Sequence, residues 1–311
     1  MDEFREVIIR ELKRRLGEEY QITPQDKCKN NGVNLHGISI HKAGDEVSPL
    51  IYLEEFILAF AGRLQSLDEI VDCIIEKCGK KNIPQGMVSH LKEFDMMKDK
   101  VRIRMINYDA NAEKLKHIPH RKFLDLAVTY YLDMGTARTG QNATAVIPDE
   151  LAEIWKVSEE ELYQTGMEKL LKRDAFHAVD IISLIREAAK EEQDADTAKF
   201  FNEAVRKNEP GEKIYAVSNQ KKLYGASCII NTPFLQELAE QEGSDLVIYP
   251  YNVSELIVFP FNDKIKEEIA ADNVMEIYNR KIPREERLSN SIYLYDRKKR
   301  EVSIIKKGIP L

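Results

Sequence analysis

The residues best suited to chemistry lie between His117 and Asp125. His117 and His120 flank the dipeptide Ile118-Pro119, and with Asp125 they offer the imidazole and carboxylate groups that metal sites use. The spacing does not favour a metal, because Pro119 keeps the preceding residue extended and blocks the regular helix that would align both histidines. No cluster of cysteines or carboxylates at ligand spacing lies nearby in the sequence. We therefore predict no metal ion and no cofactor.

Asp125 is the residue of this segment that most needs a partner. The run Phe123–Val128 predicts a buried strand, where an unpaired carboxylate is costly. Arg121 lies four residues earlier, so a structural ion pair with Asp125 is the favoured interpretation. The alternative is an enzyme site assembled from distant segments, in which His120, Arg121 and Asp125 act with loop residues near Ser254.

A glycine pair further along has the spacing of a phosphate-binding loop. Gly135 and Gly140 enclose Thr136-Ala137-Arg138-Thr139, but Gln141 and Asn142 stand where such a loop places Lys and Ser or Thr. The segment also leads into a predicted strand instead of a helix. A flexible connection between two strands is therefore the favoured interpretation.

Two polar residues are predicted at the tip of a hairpin over Leu246–Phe259. Ser254 and Glu255 occupy this tip, and exposed loop residues held by two strands often make binding contacts. A turn in which Asn252 and Ser254 bond to the backbone explains the same residues without a ligand, and we favour it. Ser254 and Glu255 are therefore secondary binding candidates.

The C-terminal hairpin is predicted to have a basic turn. Arg297, Lys298, Lys299 and Arg300 follow one another, and such a tip could bind nucleic acid or an acidic partner. Basic runs are more often solvated turns that blunt an edge strand. The composition also opposes a nucleic-acid binder, because 46 Lys and Arg against 53 Asp and Glu give a net charge of −7.

The cysteines and the hydropathy pattern indicate a cytoplasmic protein. Cys28, Cys73, Cys78 and Cys228 are few and scattered, as is usual for reduced thiols, and no neighbouring base would activate Cys228. The N-terminus mixes charges among its apolar residues, unlike a signal peptide. No run approaches the ~20 apolar residues of a membrane helix, so we expect no membrane association.

Periodicity and capping predict the elements of the N-terminal part and several helices beyond it. An amphipathic helix is predicted over 2–16, and Asn30-Asn31-Gly32 predicts a hairpin turn between 18–28 and 33–41. Ser66 and Ser158 are each followed three residues later by Glu, which is the capping box that begins a helix. Residues 175–207 are rich in Ala, Glu and Lys and predict one or two surface helices.

The larger C-terminal part alternates predicted strands with helices. Strands are predicted over 101–106, 123–132, 143–147, 213–218, 223–230, 246–249, 256–259, 292–295 and 302–305, with helices from Pro233 and Lys264. Hairpins alternating with helices predict an α+β fold with a mostly antiparallel sheet. The charged stretch Lys92–Lys100 predicts a boundary that separates a helix-rich N-terminal part with a hairpin, 1–97, from a larger α+β domain, 98–311.

Four segments of the chain suggest a family. They are His120–Val128, Trp155–Leu162, Lys222–Ala226 and Leu288–Asp296. Together they resemble an uncharacterised bacterial family defined as a domain of unknown function, with a looser similarity to the YtpQ-like proteins. The resemblance covers roughly residues 100–300 and implies no activity, cofactor or catalytic residue.

These features favour a non-enzymatic cytosolic protein that acts as a regulator or binds a protein partner. No candidate catalytic group has a second member at a chemically demanding spacing. We expect a protein of this kind to have an exposed apolar patch or sheet edge and no deep polar pocket. The alternatives are the enzyme built around His120, Arg121 and Asp125, and a nucleic-acid-associated regulator that uses the basic C-terminal turn.

Overall fold

The computed structural model describes residues 1–44, 48–79, 90–136, 142–172, 175–185, 213–270, 282–308 and 310–311. The chain forms two compact units, one within Met1–Met96 and a larger one from Met97–Gly135 and Asn142–Leu311. The predicted domain boundary at residue 97 stays a prediction, because compactness alone does not establish independent folding. No helix in the described ranges is long and apolar enough to cross a membrane.

The first unit combines three helices with a three-stranded antiparallel sheet. The helices are α1 (Asp2–Leu16), α2 (Glu54–Ala61) and α3 (Leu67–Gly79), and the strands are β1 (Tyr20–Cys28), β2 (Asn34–Lys42) and β3 (Leu50–Tyr52) in the order β1-β2-β3. Ile8 and Leu12, one helical turn apart on α1, join one apolar cluster with Ile38 of β2 and with Ile70 and Ile74 of α3. This cluster is the core of the unit.

Two local predictions for the first unit are confirmed. Asn31 and Gly32 lie in the turn between β1 and β2 with φ of 56° and 69°, as an Asn-Gly connection requires. Before α3, the Glu69 amide donates to Ser66 Oγ at 3.3 Å and the Ser66 amide donates to Glu69 Oε2 at 2.7 Å. These reciprocal bonds are the predicted capping box.

The second unit begins with a four-stranded sheet in which β6 pairs with each of the other strands. The short helix α4 (Phe94–Met97) precedes this sheet, and Met97 is the one residue of it in the second unit. The strands are β4 (Val101–Asn107), β5 (His120–Phe123), β6 (Leu126–Thr136) and β7 (Asn142–Val146), accompanied by α5 (Ala112–Leu115), α6 (Asp149–Trp155) and α7 (Glu159–Leu170). The single strand predicted over 123–132 is wrong, because Leu124 and Asp125 form a turn between β5 and β6, with Leu124 at φ 57°. Asp125 therefore lies at the end of this sheet.

A six-stranded antiparallel sheet forms the rest of the second unit. The order is β13-β12-β10-β11-β9-β8, built from β8 (His177–Asp180), β9 (Tyr215–Ser218), β10 (Leu246–Tyr249), β11 (Leu256–Pro260), β12 (Ile292–Asp296) and β13 (Glu301–Lys306). The helices α8 (Thr232–Glu242) and α9 (Asp263–Ala270) follow β9 and β11 in the chain. The α+β class and the mostly antiparallel pairing predicted from the sequence are confirmed.

Two predictions for this region are wrong. Residues 177–180, predicted as helix, form β8, because pairing with β9 overrides their local preference. Residues 223–230, predicted as strand, contain the 3-10 helix Gly225–Ile230, which begins after Tyr224 at φ 52°. Residues 181–185 are helical, as predicted, and residues 186–212 lie outside the described residues.

Candidate functional site

A polar pocket lies beside β4 in the second unit. It encloses about 240 Å³ between β4, β6, α7 and the loop that precedes Gly225–Ile230. This is far more than the about 10–15 Å³ that one water needs, and slightly below the roughly 300–1,000 Å³ of pockets for drug-sized ligands. A small molecule therefore fits. We call it the β4 pocket and define it by six polar side chains that line it: Arg102, Tyr131, Asp133, Lys169, Lys221 and Ser227.

Strand pairing fixes the position of the central residues of the β4 pocket. In the register of β4 and β6, Arg102 lies opposite Tyr131, and Arg104 lies opposite Thr129. Paired residues on antiparallel strands share a face of the sheet, as do residues two apart on one strand. The two arginines therefore lie on the same face as Tyr131.

Both lysines of the β4 pocket are paired with carboxylates. Lys169 Nζ lies 2.8 Å from Asp99 Oδ1, and Lys221 Nζ lies 2.7 Å from Asp133 Oδ2. The hydrogen bond from Lys169 lowers the pKa of Asp99. Burial by itself would raise the pKa of Asp133, but the hydrogen bond from Lys221 lowers it overall. Both carboxylates are therefore ionised at neutral pH and balance the lysines.

Arg102 has no comparable partner. Its Nη1 donates to the backbone oxygens of Asp99 at 2.7 Å and Val101 at 2.8 Å. Within the described ranges it forms no ion pair with a carboxylate. A guanidinium carries five N–H donors, so most of those of Arg102 are available to a ligand. Arg102, Lys169 and Lys221 face the two carboxylates of Asp99 and Asp133, so these five residues carry one positive charge in excess.

Two hydroxyl groups of the β4 pocket have unused hydrogen-bonding capacity. Tyr131 is 5% exposed and Ser227 is 4% exposed, and neither hydroxyl bonds to another residue in the part of the chain that the structure describes. Both oxygens are open to a ligand in the pocket, because neither is among the fully buried atoms that lack a partner. Burial raises the pKa of Tyr131, so its hydroxyl stays protonated and able to donate at neutral pH.

Arg104 lies two residues after Arg102 on β4 and is almost fully buried, with 6% of its surface exposed. Its Nε donates to Thr129 Oγ1 at 3.1 Å, and its guanidinium carbon lies 5.4 Å from the centre of the Tyr224 ring. Tyr224 contacts Tyr131 edge-on, with ring centres 4.8 Å apart. Arg104 Nη2 is buried and bonds to no residue that the structure describes.

The loop that closes one side of the β4 pocket has a constrained backbone. Asn219 bonds to both backbone groups of Leu223, with its Nδ2 donating at 2.7 Å and its Oδ1 accepting at 3.1 Å. Lys222 and Tyr224 adopt left-handed φ values of 48° and 52°, which are costly for residues with a side chain. A Cβ atom at Gly225 would lie only 2.5 Å from a backbone oxygen, so glycine is required there.

Asp125 binds three hydroxyl groups. None of them belongs to a residue that lines the β4 pocket. Ser289 and Ser291 donate to Oδ2 at 2.6 and 2.8 Å, and Tyr293 donates to Oδ1 at 2.6 Å. All three donors are at most 2% exposed. Asp125 therefore joins the β5–β6 turn to the start of β12. The predicted ion pair with Arg121 is wrong.

Arg121 instead holds the start of α7. Its Nε and Nη2 donate to the two carboxylate oxygens of Glu159 at 2.8 and 2.7 Å, and Nη2 also lies 2.7 Å from Glu160. The guanidinium carbon lies 3.6 Å from the centre of the Tyr163 ring, and Tyr130 donates its hydroxyl to Glu159. A cation with this many partners is a structural anchor.

His120 and Arg121 do not share a face of the sheet. They are successive residues of β5, so their side chains face opposite sides. His120 pairs with Thr129 across the strands, and its Nδ1 lies 3.0 Å from the Ile118 backbone oxygen. The enzyme site built from distant segments around His120, Arg121 and Asp125 stays a prediction.

The residues of the predicted hairpin tip form a turn beside the loop that lines the β4 pocket. Asn252 Oδ1 accepts from the amides of Ser254 at 2.7 Å and Glu255 at 2.8 Å, as the turn interpretation expects. The Ser254 backbone oxygen accepts from Ser218 Oγ at 2.7 Å, and Glu255 pairs with Lys222 at 3.3 Å. Any ligand contact by Ser254 or Glu255 stays a prediction.

The basic run lies in a turn between β12 and β13. Asp296 Oδ1 accepts from the amides of Lys298 and Lys299, each at 2.9 Å, and the Arg300 amide donates to the Asp296 backbone oxygen at 2.7 Å. The Arg297 amide donates to Asp245 at 3.1 Å. These bonds account for the turn itself, and a ligand for Arg297, Lys298, Lys299 or Arg300 stays a prediction.

The remaining candidates lie in the core or outside the described residues. Cys228 is fully buried, and burial raises the pKa of its thiol, as expected of a core cysteine. Of the glycine loop, Gly135 and Thr136 end β6, and residues 137–141 lie outside the described residues. Across the described ranges, no group of three or more His, Cys, Asp or Glu side chains is placed to hold a metal ion.

The sequence did not predict Arg102, Arg104 and Tyr131 as site residues. A signal for the arginines existed, because 101–106 was a predicted strand and two charges at alternate positions share one face of it. Lys221 and Ser227 come from a segment predicted as strand or loop without any local pattern. Only the fold brings them to β4.

These features define an α+β protein with a small, positively charged pocket beside one strand of a four-stranded sheet. Residues 1–297 match the family model of DUF5688, a family of unknown function, and the chain belongs to that family. The match includes the N-terminal third, which the resemblance had left out. No curated protein and no solved structure matches the chain.

Proposed function

We propose that the protein is a non-enzymatic regulatory protein that binds a small anion in the β4 pocket. One observation supports this above the others: among the described residues, Arg102 lines the pocket without a carboxylate within ion-pair distance, beside the unbonded hydroxyls of Tyr131 and Ser227. An anion would supply both the opposite charge and the missing hydrogen-bond acceptors. The expectation of no deep polar pocket gives way to this arrangement.

The groups around the β4 pocket suit binding better than catalysis. A general base must be unprotonated and poised near neutral pH. Lys169 and Lys221 form ion pairs with Asp99 and Asp133, and burial raises the pKa of Tyr131. None of these groups is placed to accept a proton from a substrate.

Thermal unfolding of the full chain in the presence of small anions tests the proposal. A ligand that binds only the folded state raises the melting temperature in a saturable way. Phosphate, acetate and succinate are added separately at low ionic strength, with sodium chloride as the salt control. We expect a saturable rise with at least one of the three anions.

Paired arginine variants locate the binding. Arg102→Gln is expected to abolish the rise, whereas Arg10→Gln, the same change at an exposed position of α1, leaves it intact. A rise of equal size in wild type and Arg102→Gln overturns the proposal, and so does a wild-type chain that responds to none of the anions.

Binding of a protein partner is a second candidate function, and it is supported by α2. This helix buries only Phe56, while Leu58, Phe60 and the following Leu64 are 72%, 45% and 81% exposed. We call these three residues the α2 surface. Large exposed apolar side chains close together in the chain favour contact with another protein.

We also propose that the protein is bacterial and cytoplasmic, and that it is loosely similar to the YtpQ-like proteins. A nucleic-acid role for the turn Arg297–Arg300 has less support, because the chain has a net charge of −7. Absence of salt-sensitive retention on DNA and RNA would remove that role.

A further inference from the structure

We propose that Arg104 is a second anion-binding residue of the β4 pocket and that the ligand is a compact dianion, either a phosphate monoester or a dicarboxylate. This inference rests on the proposed function, because the ligand must first occupy the pocket beside Arg102. Arg104 then sets the charge that the pocket selects.

Arg104 carries a buried positive charge that no carboxylate of the described residues balances. Arg104 is 6% exposed and forms no ion pair with any carboxylate in the part of the chain that the structure describes. A buried charge is costly unless it is paired, and most groups escape the cost by losing the charge. A guanidinium stays protonated in proteins, so the described residues leave the charge of Arg104 for a ligand to balance.

The fold places Arg104 next to the anion site. Arg102 and Arg104 are two residues apart on β4, about 6.6 Å at the usual rise of a strand, and lie on one face. Contacts lead from the pocket to Arg104 through two rings: Tyr131 lines the pocket, Tyr224 touches Tyr131, and Arg104 lies over Tyr224. One small ligand can therefore reach both guanidinium groups once Tyr224 moves.

Rotation of the Tyr224 side chain is the movement required. Asn219 fixes the backbone at Leu223 through two hydrogen bonds, so the loop itself is held. The Tyr224 side chain is held over Arg104 by ring contacts alone among the described interactions. Such contacts are individually weak compared with a charge-assisted hydrogen bond between Arg104 and an anion.

The local charge balance favours a dianion over a monoanion. The cations are Arg102, Arg104, Lys169 and Lys221, and the carboxylates that pair with the lysines are Asp99 and Asp133. Four positive and two negative charges leave two positive charges among these six residues. A ligand with two negative charges balances them.

Isothermal titration of the full chain with matched ligands tests the inference. Succinate and butyrate have the same carbon chain and differ by one carboxylate, and inorganic phosphate represents the phosphate monoesters. We expect wild type to bind succinate or phosphate at least about tenfold more tightly than butyrate. The better of the two dianions identifies the source of the charge. Equal affinity for succinate, phosphate and butyrate overturns the inference.

Three variants separate this inference from the proposed function. Arg104→Gln is expected to remove the preference for the dianion while weak anion binding persists, and Arg102→Gln is expected to remove all binding. If wild type binds no anion, both proposals fail. If anions bind through Arg102 and Arg104→Gln retains the dianion preference, only this inference fails.

The third variant is Tyr224→Leu, which removes the ring that covers Arg104. It is expected to keep or strengthen dianion binding, and a loss of dianion binding in this variant counts against the inference.

Unfolding of the ligand-free variants gives an independent readout. Removing an unbalanced buried charge is expected to leave the melting temperature of Arg104→Gln unchanged or higher. Removing a structural anchor would lower it. A lower melting temperature together with a retained dianion preference assigns Arg104 to the fold and overturns the inference.

Discussion

Asp125 shows at the residue scale how a candidate for catalysis becomes a structural joint. Its two oxygens accept from Ser289, Ser291 and Tyr293, which all lie within or just before β12. Burial, followed by the charge of Asp125, raises the pKa of Tyr293, so the tyrosine stays a donor. The three hydroxyls therefore occupy most of the about four acceptor positions of the carboxylate.

Asp125→Ala is predicted to lower the free energy of unfolding by about 2–4 kcal/mol, because it leaves three buried hydroxyls without an acceptor. Urea denaturation near neutral pH measures the change. Asp109→Ala, the same substitution at an exposed aspartate, serves as the control and is expected to change the free energy by no more than about 0.5 kcal/mol.

Anion binding separates the two roles of Asp125. A structural joint predicts that folded Asp125→Ala binds anions as the wild type does, measured below the temperature at which it unfolds. Loss of binding with an unchanged unfolding curve would assign Asp125 to the site instead.

At the scale of elements, local signals predicted what local physics determines. The capping box of Ser66 and Glu69 and the turn at Asn31 depend on residues within a few positions, so the sequence contains the whole cause. The break between β5 and β6 does not, because Leu124 adopts a positive φ that leucine disfavours. Bonds from Asp125 to distant β12 residues hold that turn in place.

The β4 pocket could not be predicted from the sequence for a related reason. Arg102 and Arg104 show a strand-type alternation, but the partners that matter come from α7 and from the loop before Gly225–Ile230. Side chains so distant in sequence meet only through the packing of the second unit. That no carboxylate of the described residues forms an ion pair with Arg102 is a property of that packing and has no local signature.

The α2 surface gives a prediction at the same scale. The double variant Leu58→Lys, Leu64→Lys is expected to change the free energy of unfolding by no more than about 0.5 kcal/mol, because both side chains are exposed. It is also expected to lose a protein partner that the wild type captures by cross-linking. Ile154→Lys, at an exposed apolar residue of α6, is the control that retains capture.

Two results would contradict the α2 surface. A marked loss of stability in the double variant, seen in urea denaturation, would make Leu58 and Leu64 part of the fold. Equal recovery of the partner by wild type and double variant would place the contact elsewhere.

At the scale of the whole molecule, a local positive site lies within an acidic chain. The net charge of −7 repels anions at long range, whereas the β4 pocket attracts them at short range. Salt screens the two effects differently, because exposed charges are screened strongly and enclosed ones weakly. Selectivity therefore depends on the pocket and on the charges that line it.

The titrating groups of the second unit predict how stability depends on pH. Asp99, Asp133 and Glu159 have lowered pKa values in the fold, so their contribution is present above their ordinary pKa of about 4 and is lost as pH falls below it. Burial raises the pKa values of Tyr131 and Tyr293, so their contribution is present below about pH 10 and is lost as pH rises. Urea denaturation should show a plateau from about pH 5 to 9.

Two variants assign the limbs of this pH profile. Glu159→Gln removes a carboxylate that Arg121 and Tyr130 stabilise, so its stability should fall less steeply than that of wild type on the acid side. Tyr293→Phe removes a buried hydroxyl that cannot ionise without cost, so its stability should fall less steeply on the alkaline side. An alkaline limb equally steep in Tyr293→Phe and wild type would exclude Tyr293 as its source, and the same comparison on the acid side applies to Glu159.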